Sequence, residues 1–212
     1  MTIRKGESWG VPGALAPGSP VVHTDDGARR HLQQMWSAGG ERPDRPEVGI
    51  LGGDLHRTLG APRHDEADLL AGRATRFPMD LCSVRVDDGP EQVFVAHLIA
   101  TASPSGRLWS SRTVIAMNGS FAGALNLGPR AHPNDGRVDV VDGELPRSQR
   151  RAGRRRARTG THLPHPDLAD RRTAHLVIDA DRPLHLLLDG VAAGAGTRLE
   201  LRCHPDAWIA AV

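Results

Sequence analysis

The sequence predicts an α+β fold, in which an N-terminal α/β portion packs on a C-terminal antiparallel β-sandwich-like domain. Three observations carry this. Before residue 60, apolar residues recur at helical spacing around a short apolar run and a glycine-rich turn. From Met79 onward the period changes to two, with Asn-Gly and Asp-Gly pairs between the runs. Leu199, Leu201 and Cys203 then alternate with Arg198, Glu200 and Arg202, the pattern of a half-buried strand.

Composition sets the limits. The chain has 212 residues, 39% of them hydrophobic and 25% charged, enough for a core and too apolar for global disorder. With no Tyr and 3% aromatics, that core rests on Leu, Val, Ile and Ala. Cys82 and Cys203 lie far apart and neither belongs to a CxxC pair, so no disulfide framework is indicated and a reducing compartment is expected. The N-terminus has no apolar h-region, and no run approaches the ~18 apolar residues that span a bilayer. The expectation is a soluble cytoplasmic protein, with peripheral membrane contact open.

Residues 1–20 are rich in Gly, Pro and Ser and read as an irregular arm. Val21-Val22 begins a strand. Asp25 or Asp26 caps a helix whose apolar stripe is Ala28, Leu32, Met35 and Trp36, stopped by Gly39-Gly40. Val48 to Leu51 is a buried strand, Leu55 to Leu59 a helical turn ended by Gly60, and Asp65 to Ala71 a second short helix. This α/β portion covers 21–78 and the β-rich domain 79–212. The latter contains strands near 81–86, Val93 to Ile99, Thr113 to Met117, Val138 to Val141, Ala174 to Ile178, Leu184 to Leu188, Thr197 to Cys203 and Trp208 to Val212, with Asp88-Gly89 as a hairpin turn. Arg147 to Arg158 is either a helix or a loop.

Four groups of residues carry chemistry. Val48 to Gly60 runs from strand through Gly52-Gly53-Asp54 into a helix start, where backbone N–H groups can face an anion. Met117-Asn118-Gly119 is followed by Gly128-Pro129-Arg130-Ala131-His132-Pro133-Asn134-Asp135-Gly136, in which Asp135 either ligates a hard cation or closes an Asx turn. Asp189-Gly190 ends an apolar strand and alone would be a hairpin turn. Seven arginines between Arg147 and Arg158 make a positive patch. It suits anionic lipid headgroups; with no aromatic interleaving, nucleic acid is disfavoured. His162 and His165 are spaced like metal ligands but lack a companion pair.

In their order and spacing these segments resemble the diacylglycerol-kinase and sphingosine-kinase-like lipid kinases over residues 47–212. Gly52 to Gly60 resembles the family's GTGNDFAR-like loop, with Leu51 and Gly53 where the family has Thr and Asn. Phe77 to Leu81 resembles the strand that leads into the β-domain, Asn118 to Asp139 the family's aNG…aP…DG.lDv block, and Gly160-Thr161-His162 its G.H segment. The family's GGDGT motif is missing, and in Val21 to Gly27 only Asp25 stands as its remnant. The resemblance implies a truncated lipid kinase transferring the γ-phosphoryl of ATP to a lipid hydroxyl. Gly52, Gly53 and Asp54 would lie at the nucleotide, Mg²⁺ at Asp135, and Asp189 would be the general base, although the family's following Glu is Val191 here. Arg154, Arg155 and Arg156 would face the anionic surface. Loss of the phosphate-cradling motif argues for a degenerate relative that binds lipid or a partner protein, itself included, with or without ATP.

Overall fold

The computed structural model of the chain describes residues 9–37, 45–61, 63–103 and 106–212. In chain order its elements are β1 (Val11–Gly13), β2 (Val21–Val22), α1 (Asp25–Ser37), β3 (Glu47–Ile50), α2 (Gly53–Thr58) and α3 (Glu66–Leu70). The β-rich part follows with β4 (Ala74–Val86), β5 (Glu91–Phe94), β6 (His97–Thr101), β7 (Thr113–Met117), β8 (Phe121–Ala122), β9 (Leu125–Asn126) and β10 (Val138–Gly143). It ends with α4 (Arg150–Ala157), β11 (Leu168–Thr173), β12 (His175–Leu188) and β13 (Val191–Ala211).

One sheet threads β1-β4-β13-β12-β6-β7-β10-β11, and β5 adds to β4. The α/β portion joins this same sheet, because β3 lies parallel to both β2 and the end of β13. The expected junction at 78/79 falls inside the continuous strand β4. Part of the expected arm is also ordered, with Val11 to Gly13 paired antiparallel to Arg76 to Ala74.

Strand alternation gives the sheet two working faces. On one, Cys82, Val84, Phe94, Leu199, Leu201 and Cys203 meet Leu98, Ala100, Val114, Ala116, Val138 and Val140 in the core of the sandwich. On the other, Met79, Leu81, Val93 and Trp208 pack under Ala28 and Leu32 of α1. Ala28 and Leu32 of the expected α1 stripe are therefore core, and Trp36 packs half-buried against the same cluster. The glycine stop at 39–40 lies outside the described residues. A third cluster sits behind β7 and β10, where Ile115, Met117 and Val141 are covered by Trp109, Leu145 and Ala157.

Several expected strands change under tertiary forces. The two strands expected at 174–178 and 184–188 are the single β12, which shifts register against β13 between Asp179 and Leu184. Those expected at 197–203 and 208–212 are both β13, which shifts register between His204 and Trp208 and places Asp206 at φ +51°. The polar inserts interrupt the alternation, but the chain bulges and keeps its direction. Edge strand β11 was invisible because its sequence, LADRRT, is charged and mostly exposed.

Candidate functional site

The run expected as one strand from Val93 to Ile99 breaks at Val95-Ala96, and the break defines the site. Asp189 accepts hydrogen bonds from the backbone N–H groups of Val95 (2.9 Å), Ala96 (2.9 Å) and His97 (3.0 Å). Those amides serve the carboxylate instead of a ladder. Asp189 and Gly190 have φ of +48° and +83° and make the two-residue turn that joins β12 to β13.

Asn118 and Gly119 hold the corner from its other side. Their N–H groups both donate to the Ala96 carbonyl, and the Asn118 side chain donates to the carbonyls of Val95 (2.8 Å) and Asp80 (3.1 Å). Asn118-Gly119 is therefore a clamp between β7 and the corner. Gly119 has to be small: a Cβ there would lie 2.9 Å from Thr58 Oγ1, which also accepts the Ser120 N–H.

The Gly52-Gly53-Asp54 turn is held by Asp25. Its carboxylate accepts from the N–H groups of Asp54 (2.6 Å) and Leu55 (3.0 Å), the donors that open α2. Gly53 has φ +95°, and a Cβ on it would come within 2.6 Å of Asp25 Oδ1. The Asp54 carboxylate accepts from Gly123 N–H (2.7 Å) and lies 4.0 Å from His97 Nδ1. That ring nitrogen is buried without a hydrogen-bond partner.

His97 thus joins the two halves, its backbone on Asp189 and its ring toward Asp54. The structure brings Gly52, Gly53, Asp54 and Asp189 into one neighbourhood with Asp25, whose charge interacts with that of Asp189. His97 gives no sequence signal, since a lone His in an apolar run normally reads as core. Burial, joined by the Asp189 charge, pushes the Asp25 carboxyl up to about 6. Burial also pushes Asp189 up to about 6, against the pull of its three N–H donors. Burial holds the His97 ring below the usual histidine range.

These shifts have a sign in stability. Asp25 is ordinarily near 3.8, so its stabilising protonated form is fully favoured below that value and is lost as pH rises through about 6. The gap corresponds to about 3 kcal/mol. Asp25→Asn removes the titration, although it also weakens the α2 contact. The wild-type stability advantage over Asp25→Asn should therefore shrink between pH 4.5 and 7, read from urea midpoints at each pH. Parallel pH profiles would contradict this account of Asp25.

Asp135 lies in a different cluster. Its Oδ1 accepts from the Arg137 N–H (3.0 Å), closing an Asx turn, and its Oδ2 pairs with Arg172. Among the described residues, no group of three or more His, Cys, Asp or Glu side chains is placed to hold a metal ion. At the expected cation position, the Asp135 carboxylate is engaged by the turn and by Arg172. The following residue is pinned by buried Asp80, whose carboxylate accepts from the N–H groups of Gly136 (2.6 Å) and Asp206 (3.0 Å). His162 is buried beside Trp109, with ring centroids 5.4 Å apart, while His165 contacts Gln149 at 2.5 Å, so the two are not paired as ligands.

The arginine stretch is a helix. Gly153 and Ala157 face inward, and a Cβ on Gly153 would lie 2.4 Å from Leu145 Cδ1. Arg154 is half-buried and donates to the Leu108 carbonyl (3.1 Å), while Arg150 pairs with Glu144. Of the three arginines expected at the surface, Arg154 is thus partly structural, whereas Arg155 and Arg156 are exposed. At helical spacing, exposed Arg151, Arg155 and Arg158 form one outward ridge, continued by Arg147.

The chain belongs to the family of the YegS C-terminal NAD kinase beta sandwich-like domain, which matches residues 75–210. Among solved structures, a diacylglycerol kinase from Bacillus anthracis str. Sterne aligns with TM-score 0.58 and 16% identity, over 78% of this chain and 66% of that one. Two candidate diacylglycerol kinases from the same organism give TM-scores of 0.66 and 0.64 at 15% and 16% identity, each over 90% of this chain and over 75% and 76% of theirs. The chain thus spans about two thirds of the first protein and three quarters of the others, and at these identities the likeness is one of fold. No curated protein sequence matches significantly.

Proposed function

We propose that this chain is a degenerate member of the lipid-kinase fold, one that binds at an anionic lipid surface and does not turn over ATP. The observation that carries this is Asp25. Its carboxylate takes the two N–H groups at the start of α2, the place where the resemblance would put phosphate. An anionic nucleotide there would have to displace a buried carboxylate and would meet the charges of Asp25, Asp54 and Asp189. The residues present do not fit Mg-ATP, because Asp135 is also committed to Arg172 and to its own turn. The arginine ridge of α4, whose exposed members have no acidic partner among the described residues, supports the lipid half of the reading.

A second reading, an active lipid kinase, draws on one observation. Asp25 and Asp189 both sit near about 6, close to where a general base works best. Calorimetric titration with Mg-ATP separates the two. The expected result is no heat of binding at up to millimolar nucleotide. Saturable binding in the low micromolar range, together with phosphate transfer to diacylglycerol in mixed vesicles, would establish the kinase instead.

A further inference from the structure

The two cysteines, 121 positions apart in the sequence, stand directly opposite each other on adjacent antiparallel strands, Cys82 of β4 against Cys203 of β13. Both are free thiols and both point into the sandwich core. The pair type follows from where their backbones donate. The Cys203 N–H goes to Ala174 on the far side of β13 at 2.8 Å, so Cys203 turns its hydrogen-bonding groups away from β4. On β4, Asp80, which has the same parity as Cys82, donates to Pro133 rather than to β13. The two cysteines therefore form a non-hydrogen-bonded pair, in which Cα atoms sit about 4.5 Å apart and side chains approach most closely. That separation lies at the lower end of the range a disulfide bridges. Both side chains lie in the same buried cluster of the sandwich core.

Their place in the fold gives the contact a consequence. Phe94, opposite Cys82, is the last residue of β5, and Arg202, next to Cys203, takes part in the first pair between β13 and β12. The cysteines thus sit at the mouth of the sandwich core, one residue before the bulge at His204 through which β13 continues to the α/β portion. Cys203 is the more accessible, at 8% exposure against none for Cys82.

We propose that Cys82 and Cys203 are a thiol modification site that forms a reversible cross-strand disulfide by exchange with a low-molecular-weight disulfide. The Cys203 thiolate attacks one sulfur of the small disulfide, forming a mixed disulfide and expelling one small thiolate. The Cys82 thiolate then attacks the Cys203 sulfur and expels the second. The protein loses two protons and two electrons, and the small disulfide is reduced to two thiols. The bond clasps β4 to β13 beside the bulge and closes a long loop, so it restricts the unfolded chain without changing the native register.

The test uses the full chain in two arms, because burial slows exchange in the native state. In one, folded protein is incubated with excess oxidised glutathione; in the other, reduced and unfolded protein is refolded in a glutathione redox buffer. Both are then denatured and alkylated, and intact mass is read. The expected product of the refolding arm is a monomer that has lost two hydrogens, takes up no alkyl group and yields a cross-linked peptide joining Cys82 and Cys203. Its urea midpoint is higher than that of the reduced chain, and reductant abolishes the difference. Cys203→Ala has the same urea midpoint in oxidising and reducing buffer and never loses the two hydrogens. Two alkylatable thiols after refolding, mixed disulfides that do not resolve, or cross-linking only between chains would each overturn the proposal.

Discussion

Asp189→Ala is expected to destabilise the protein by about 4 kcal/mol, because three buried N–H groups lose their acceptor at once, each worth about 1–3 kcal/mol. For a chain of this size that lowers Tm by about 10 °C. Asp189→Asn keeps the turn, since Asn tolerates the left-handed conformation at φ +48°. It nevertheless replaces one acceptor oxygen with an amide that faces a donor. Its expected cost is about 2 kcal/mol. From the resemblance alone, Asp189→Asn would serve as a catalytic probe with little loss of stability; the hydrogen bonds to Val95, Ala96 and His97 remove that expectation. Amide exchange at those three residues is the sharper readout, because both variants should accelerate it there before the residues of β6 beyond His97 respond. A variant with wild-type stability and protection would show that the corner is held by something other than this carboxylate.

The same contacts explain what sequence could and could not reveal. The α1 stripe and the alternation at Leu199, Leu201 and Cys203 were legible because period reports which face is buried. The motif positions were legible as positions: Gly52-Gly53 and Asn118-Gly119 lie at close approaches of another segment, and Asp189-Gly190 turns β12 into β13. Their roles were not, since each depends on a partner far along the chain. Asp25 acts on an amide 29 residues away and Asp189 on amides 92 to 94 away. An Asn-Gly or Asp-Gly pair carries the same local signal whether it turns a hairpin or clamps a neighbouring corner. The break at Val95-Ala96 was hidden for the same reason, since nothing in an apolar run says that its amides are needed elsewhere. The cysteine pair is the extreme case: only the register of β4 against β13 brings Cys82 and Cys203 together.

The α4 ridge supports the second large expected effect. Arg151, Arg155, Arg156 and Arg158 are exposed, and none has an acidic partner among the ion pairs of the described residues, whereas Arg130, Arg150 and Arg172 do. A solvated charged face usually interleaves both signs, and this helix contains no acidic residue. The ridge offers charge with little apolar area to insert, so its attraction to a bilayer is electrostatic. The protein should sediment with phosphatidylglycerol-containing vesicles at low salt, stay in solution with purely zwitterionic ones, and be released near ~0.5 M salt, where screening acts over a few ångströms. Changing Arg151, Arg155, Arg156 and Arg158 to Gln preserves helix propensity. At about 1 kcal/mol per basic residue, the variant should partition about 10³-fold more weakly at low salt. Arg154 is left in place because it supports Leu108. Equal urea midpoints for the two proteins would assign the lost binding to charge. Tighter binding to duplex DNA than to the anionic vesicles would transfer the ridge to a nucleic-acid partner, and unchanged vesicle binding in the four-arginine variant would remove α4 from the membrane contact.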